Sequence, residues 1–497
     1  MPLDSVRPQI IYLNLSLPHN TKRGPGFWKF NNSLLNDEEY TFKIRELVPR
    51  LREKYANLEE KRLVWELIKM EIRENTISFA KRKARALSLR EEEISKRLEE
   101  LDETICNSNN LLNIDHILKE YDTLKTEINS IYENKGKAAI FRSKCRWVEE
   151  GERPTKYFFN LEKQNYSRKT VTELRSEGNE IVYDEQVILK STAIFYEDLY
   201  SSKETMSQAD FDSFTSDLDL PKLSDTYQEI MEGLLSFEEC KKVLEISFKD
   251  NKSPGEDGFT AEFYKHFFDL IGADLVESFN KAFEYEELSI SQRRGVIALI
   301  PKQESDFLDL QNWSPITLLN IHYKIAAKAL AKRIEVVLPK LVNADQTGFI
   351  KGRHIGENIR LISDLMDYTK EGNLPGILMP IDFKKAFDTL EWSYIRKVLE
   401  LLNFGEGVKR WIGTFYTNIE TAVLNNGFAT NWFKPSRGVR QGCPLSSYLF
   451  VLGAEILASK IRQNPLVKGI DLFGNETKII PTYSVLILPL WRTPLLP

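Results

Sequence analysis

Gly376-Ile-Leu-Met-Pro-Ile-Asp382-Phe-Lys-Lys-Ala-Phe-Asp388 is an apolar run that stops in a carboxylate, followed by a short basic turn and a second carboxylate. A short unbroken apolar run fits a buried strand. A carboxylate at the end of such a strand, beside a loop, is how α/β and α+β enzymes present a metal ligand. The same residue type also serves as a turn or helix cap, so the stretch alone leaves both roles open.

Around this stretch, strand-like runs (Val296 to Pro301, Ile377 to Phe383, Thr421 to Leu424) alternate with helical ones (Ile321 to Leu338, Ile355 to Tyr368, Leu445 to Ile461). That alternation predicts an α+β arrangement, helices packed on a small sheet. Further upstream, Ser236-Phe-Glu-Glu239 is a capping box opening a helix to about Phe248, and Lys252-Ser-Pro-Gly-Glu-Asp-Gly258 is a tight turn before another helix. Leu174, Gly178-Asn179, Ile181 and Val182 suggest a hairpin, after which Glu185 to Leu199 has helical spacing.

From Asn36 to Glu133 the chain is highly charged, with apolar residues at helical spacing: Ile44, Leu47, Leu51, Tyr55 and Leu58, then Leu87, Ile94, Leu98, Leu101 and Ile105. Two or three long helices fit, either as a coiled-coil spacer or as a binding surface. Between Lys135 and Lys169 cations, among them Arg142, Lys144, Arg146 and Lys156, interleave with Phe141, Trp147, Tyr157, Phe158 and Phe159. Cations that track phosphates beside aromatic faces that stack bases make this a candidate RNA-binding patch; the alternative is a solvated helix whose aromatics are core.

The 497 residues are 42% apolar, enough for more than one core, and the net charge of −5 means that nucleic-acid binding has to come from local basic patches. Four cysteines, Cys106, Cys145, Cys240 and Cys443, stand far apart without metal-ligand spacing, which argues against a zinc site or a disulfide framework and for a reduced intracellular protein. No unbroken apolar run reaches membrane-spanning length, so no membrane association is expected.

Ordered blocks along nearly the whole chain resemble the LINE-type (non-LTR) retrotransposon reverse transcriptases. They are Arg23-Gly-Pro-Gly-Phe-Trp-Lys-Phe-Asn31, Trp147-Val-Glu-Glu-Gly-Glu-Arg-Pro-Thr-Lys-Tyr-Phe-Phe159 (within the patch above) and Lys252 to Gly258. Beyond these come Leu299-Ile-Pro-Lys302, Asn312-Trp-Ser-Pro-Ile-Thr317, Gln346-Thr-Gly-Phe-Ile-Lys-Gly-Arg353, Asp382 to Asp388, and Arg437-Gly-Val-Arg-Gln-Gly-Cys-Pro-Leu-Ser446. The resemblance implies an incomplete right-hand polymerase, fingers and palm, preceded by a long helical linker. Residues 1–32 would be the end of an endonuclease domain, 33–134 the linker, 135–285 an RNA-binding extension with the N-terminal part of the polymerase, 286–483 fingers and palm, and 484–497 an aberrant, frameshifted tail.

The resemblance also implies roles. Asp382 looks like the first catalytic aspartate, holding Mg²⁺ ions with the Phe383 carbonyl. Phe387 falls where the family keeps a gate against a 2′ hydroxyl. Gln441 and Gly442 match a loop along the nascent base pair, and Lys302 resembles the fingers lysine that meets the triphosphate. Arg353 and Arg440 match positions that contact template or primer phosphates or serve as structural arginines. The implied activity is RNA-directed DNA polymerisation by two-metal nucleotidyl transfer, or residual RNA binding without catalysis. The implied partners are an RNA template, a DNA primer, deoxynucleoside triphosphates and the retrotransposon's RNA-binding companion protein, in nucleus and cytoplasm. Three departures bear on activity. The family's Tyr-Ala-Asp-Asp hairpin is replaced after Tyr483 by a stretch without acids, Ser314 stands in place of an arginine, and Pro380 interrupts the strand before Asp382.

Overall fold

The computed structural model describes residues 24–107, 114–143, 170–176, 178–203, 206–302, 305–374, 377–472, 475–478 and 485–488. The chain is α+β. Three helices open it: α1 (Glu38–Lys54), α2 (Lys61–Asn107) and α3 (Ile114–Ser143). A two-stranded hairpin, β1 (Leu174–Arg175) and β2 (Ile181–Val182), turns at Asn179 with φ +65° and leads into α4 (Glu185–Leu199), which starts where the Asp184 carboxylate accepts from Val187 N.

Short helices α5 (Gln208–Thr215) and α6 (Asp225–Met231) precede α7 (Phe237–Ser247) and α8 (Ala261–Tyr285), then the single turn α9 (Ile290–Arg293). Ser236 caps α7 through Glu239 N, as its sequence predicts. Next come β3 (Arg294–Pro301), β4 (Trp313–Leu319), α10 (Ile321–Leu341), α11 (Ile355–Glu371) and β5 (Ile377–Pro380). The described chain closes with α12 (Trp392–Leu401), α13 (Glu406–Tyr416), β6 (Glu420–Asn425), β7 (Phe428–Ala429), α14 (Ser446–Gln463), β8 (Ile470–Leu472), β9 (Asn475–Thr477) and β10 (Val485–Leu488).

One four-stranded sheet organises the centre in the order β4-β3-β6-β7, with β3 antiparallel to β4 and parallel to β6. One group of buried side chains, including Leu174, Ile188, Tyr196 and Tyr200 from the hairpin and α4, meets Ile297, Trp313, Val423 and Phe433 of the sheet and its loops. The largest core joins α8, α10 and α13 with Tyr40, Ile44 and Val48 of α1 and Trp65, Ile68, Ile72 and Phe79 of α2.

Two sequence expectations change here. The first half of the helical linker docks on the body: Trp65 Nε1 donates to Nδ1 of the fully buried His322 (3.1 Å), and Lys69 pairs with buried Asp257 (3.4 Å). Burial and the nearby Lys69 charge push the His322 imidazole well below its usual range, leaving Nδ1 as an acceptor. Only the outer half behaves as a hairpin, where α2 and α3 share Ile94, Ile128 and Ile131 and pair Arg90 with Glu127 and Arg97 with Glu120. That shared core is small, whereas the first half of α2 buries Trp65, Ile68, Ile72 and Phe79 in the main core.

The other change concerns β5. It ends at Pro380, two residues before Asp382, and its described partner is β10, antiparallel, with Pro380 opposite Val485. Pro380 therefore sits at a strand end of a two-stranded sheet, where its missing donor costs least.

Candidate active site

The 382–391 segment and the 436–442 loop are joined by a series of hydrogen bonds. Val439 N donates to Phe387 O at 2.7 Å, Gly438 N to Leu390 O at 2.8 Å, and Trp392 Nε1 back to Gly438 O at 2.8 Å. Gly438 has φ +84°, and a Cβ there would stand 2.6 Å from the Asp388 carbonyl oxygen, so only glycine lets the two backbones approach. Gly442, with φ +113°, does the same against β4, where a Cβ would meet the Thr317 carbonyl at 2.7 Å while Thr317 N donates to Gln441 O at 2.8 Å.

Asp382 is exposed directly beyond β5, and Phe383 lies edge-on to Phe450 of α14 with ring centroids 6.1 Å apart. Phe387, half-buried, stacks on the same Phe450 at 5.0 Å. Asp388 is 1% exposed and accepts from Tyr200 Oη at 2.8 Å and from Gln441 Nε2 at 3.1 and 3.0 Å. Burial raises its carboxyl above the usual range, opposed by the Tyr200 and Gln441 bonds and by the charges of Lys385 and Lys302. Lys302 is exposed just past β3, its backbone N–H bonded to Asn312 O at 2.9 Å. Lys385 adopts φ +54° and donates to the Trp313 carbonyl at 3.1 Å, tying the basic turn to the start of β4.

Phe383 and Phe387 thus share Phe450, Gln441 reaches Asp388 of the same segment, and the Lys302 charge acts on that carboxylate; Asp382 makes no described side-chain contact with the others. Two others are used internally. Arg353 donates to the carbonyls of Gln346 (2.8 Å), Val342 (3.2 Å), Pro339 (3.4 Å) and Asn343, closing the C-terminal end of α10. Arg440 is 5% exposed, donates to Arg293 O (3.0 Å) and Phe415 O (3.4 Å), and lies 4.3 Å over the Tyr323 ring. Arg142 falls in the last turn of α3, and Lys144, Arg146, Trp147, Lys156 and Tyr157 lie outside the described residues. Tyr200 had no signal in the sequence: it is one tyrosine among several at a helix end, and only the fold brings it to Asp388.

Among the described residues no group of three or more His, Cys, Asp and Glu side chains could hold a metal ion, and no helix is long and apolar enough to cross a membrane.

Residues 300–478 match the reverse transcriptase (RNA-dependent DNA polymerase) family. The chain is 30% identical over 458 residues, 91% of its length, to the transposon TX1 uncharacterized 149 kDa protein of Xenopus laevis. It is 29% identical over 172 residues, 34% of its length, to a retrovirus-related Pol polyprotein from the type-1 retrotransposable element R2 of Popillia japonica. It is also 24% identical over 204 residues, 41% of its length, to the one from the type-2 retrotransposable element R2DM of Drosophila melanogaster. The chain spans 34%, 24% and 18% of these relatives' own lengths. With the motif blocks in one order along the chain and the two central ones joined in space, residues 300–478 are a reverse transcriptase domain of the LINE type.

Proposed function

We propose that the chain is the template- and nucleotide-handling part of an RNA-directed DNA polymerase from a non-LTR retrotransposon, with fingers and palm built on residues 286–483, and that these 497 residues do not themselves extend a primer. The observation that carries the first half is the joining of the Asp382 segment to the Gln441 loop at Phe387 O and Val439 N. It ties the segment that carries Asp382 and Phe387 to the loop that carries Gln441, and a carboxylate, an aromatic ring and an amide, with the nearby Lys302, are groups that suit a triphosphate, a sugar and a base pair.

In this proposal Lys302 meets the triphosphate as a point charge and Phe387, stacked on Phe450, forms the floor under the sugar. Gln441 meets the nucleotide with its amide. RNA template and DNA primer are the partners, and the basic-aromatic segment holding Arg142, Lys144, Arg146, Trp147, Lys156 and Tyr157 supplies further phosphate and base contacts.

Reverse transcriptases generally use a divalent metal, and two-metal transfer needs carboxylates that hold two dications ~3.5–4 Å apart. Here Asp382 and the Phe383 carbonyl offer one contact, Asp388 is committed to Tyr200 and Gln441, and no acid follows Glu476 in the sequence. That donor set fits one carboxylate contact to Mg²⁺ and does not fit a cage for two ions. The geometry accordingly favours binding over turnover by this chain.

The test is equilibrium binding of an RNA-template/DNA-primer duplex by the full chain across a salt series. Binding that weakens steeply with salt, and is weakened further by Lys302→Glu, is expected. No binding at about 50 mM salt, where phosphate contacts are least screened, would remove the proposal.

A further inference from the structure

Tyr200 closes α4 and is fixed from several directions. Its carbonyl accepts from Ser436 N (2.9 Å) and Arg437 N (3.1 Å), and the Arg437 Nε donates to the neighbouring Leu199 carbonyl (2.9 Å). Its ring lies in the sheet-side core, 7% exposed, and its hydroxyl reaches Asp388. Burial raises that hydroxyl well above its ordinary range, so it stays protonated and can only donate to the carboxylate.

Asp388 in turn constrains Gln441. Both Asp388 oxygens accept from Gln441 Nε2, so the group of Gln441 facing the carboxyl is the NH₂. Both carboxylate oxygens lie 3.0–3.1 Å from that nitrogen, which fixes which end of the amide is which. The backbone at Gln441 is separately held by Thr317 N, so neither the main chain nor the side chain can turn over. The amide oxygen is the one polar atom of this side chain left without a partner among the described residues.

We propose that Tyr200 and Asp388 are positioning residues for Gln441: a buried hydroxyl–carboxylate pair that pins the amide nitrogen, so that Gln441 meets its ligand through the oxygen alone, as a hydrogen-bond acceptor. The proposal rests on Gln441 being the residue that meets the nucleotide. It adds that the ligand group it recognises is a donor, such as a hydroxyl, and that the specificity is set from α4, outside the matched domain.

The test is a side-chain amide spectrum of the full chain with ¹⁵N-glutamine labelling, the Gln441 pair being assigned by its loss in Gln441→Met. In the unaltered protein the Gln441 NH₂ should exchange with solvent about tenfold more slowly than exposed glutamines, as a hydrogen bond to a charged group provides. Asp388→Leu, of similar size and without acceptors, should abolish that protection, and Tyr200→Phe, which keeps the ring, should reduce it. If Asp388→Leu does not fold, the Tyr200→Phe result decides. A Gln441 pair that exchanges like free amide, or that Tyr200→Phe leaves unmoved, would overturn the proposal. Adding deoxynucleoside triphosphate to the same samples tests the polymerase proposal separately: a pinned amide that the nucleotide does not shift leaves the positioning intact and removes the nucleotide role.

Discussion

Two glycine-to-alanine substitutions should move stability in opposite directions. Gly442 has φ +113°, and an added Cβ would sit 2.7 Å from the Thr317 carbonyl oxygen, a backbone atom of β4. The strain of placing a side chain in that region costs about 1–3 kcal/mol. Pushing the loop off β4 also breaks the 2.8 Å bond from Thr317 N to Gln441 O, about 1 kcal/mol more. Gly442→Ala is therefore expected to lose about 2–4 kcal/mol, with Gln441 displaced from Asp388. Gly413 is the control: it lies exposed within α13 and a Cβ there meets nothing within 4 Å. Gly413→Ala should gain about 0.5–1 kcal/mol from reduced backbone entropy. Urea unfolding followed by tryptophan fluorescence reads both. A Gly442→Ala protein within about 0.5 kcal/mol of the parent, the scatter of ordinary surface changes, would show that the loop is not clamped to β4 as described.

Arg353→Ala should cost about 1–2 kcal/mol by uncapping α10, while leaving the salt dependence of RNA binding unchanged; a slope lower by about one unit would return Arg353 to the phosphates. Ile72→Ala, in the docked half of α2, should cost about 2–5 kcal/mol in urea unfolding of the body. Ile94→Ala, equally buried in the outer hairpin, should speed amide exchange along α2 and α3 with little change in the body. Burial raises the Glu256 carboxyl to about 7, with Asp257 and Glu66 adding to the rise and Arg294 and Lys69 opposing it. Because the folded protein holds that proton more tightly than the unfolded chain, stability should fall as pH rises from about 4.5 through about 7, and Glu256→Gln should flatten that part of the profile.

Much of the fold was legible because local chemistry decided it. The helix at Glu185–Leu199 has the ends its spacing predicts, Ser236 caps where a capping box stands, and the Gly178-Asn179 turn takes the positive φ that Asn tolerates. The docking of α2 was not legible, since Trp65 and Lys69 look like ordinary members of a charged helix until His322 and Asp257 come to them from far along the chain. The site divides the same way. The motif blocks pointed to Asp382, Phe387 and Gln441 as candidates, whereas the partner of Gln441 is Asp388, which is bound by Tyr200 in a contact spanning 188 residues that no periodicity announces. Arg353 and Arg440 show the limit of charge as a signal: an arginine that closes a helix end or lies on a buried tyrosine reads in sequence like one that binds phosphate.

Primer extension tests the central claim most directly. The purified 497-residue chain, given a DNA primer annealed to an RNA template, deoxynucleoside triphosphates and Mg²⁺, is expected to show no extension. Replacing Ser484-Val-Leu486 with Ala-Asp-Asp, together with Ser314→Arg, is expected to raise it. Losing one well-placed electrostatic stabiliser costs ~10²–10³ in rate, and the proposal has at least two replaced, the hairpin carboxylates and the arginine at position 314. Robust extension by the unmodified chain, abolished by Asp382→Ala, would contradict the account by showing that the carboxylates present suffice.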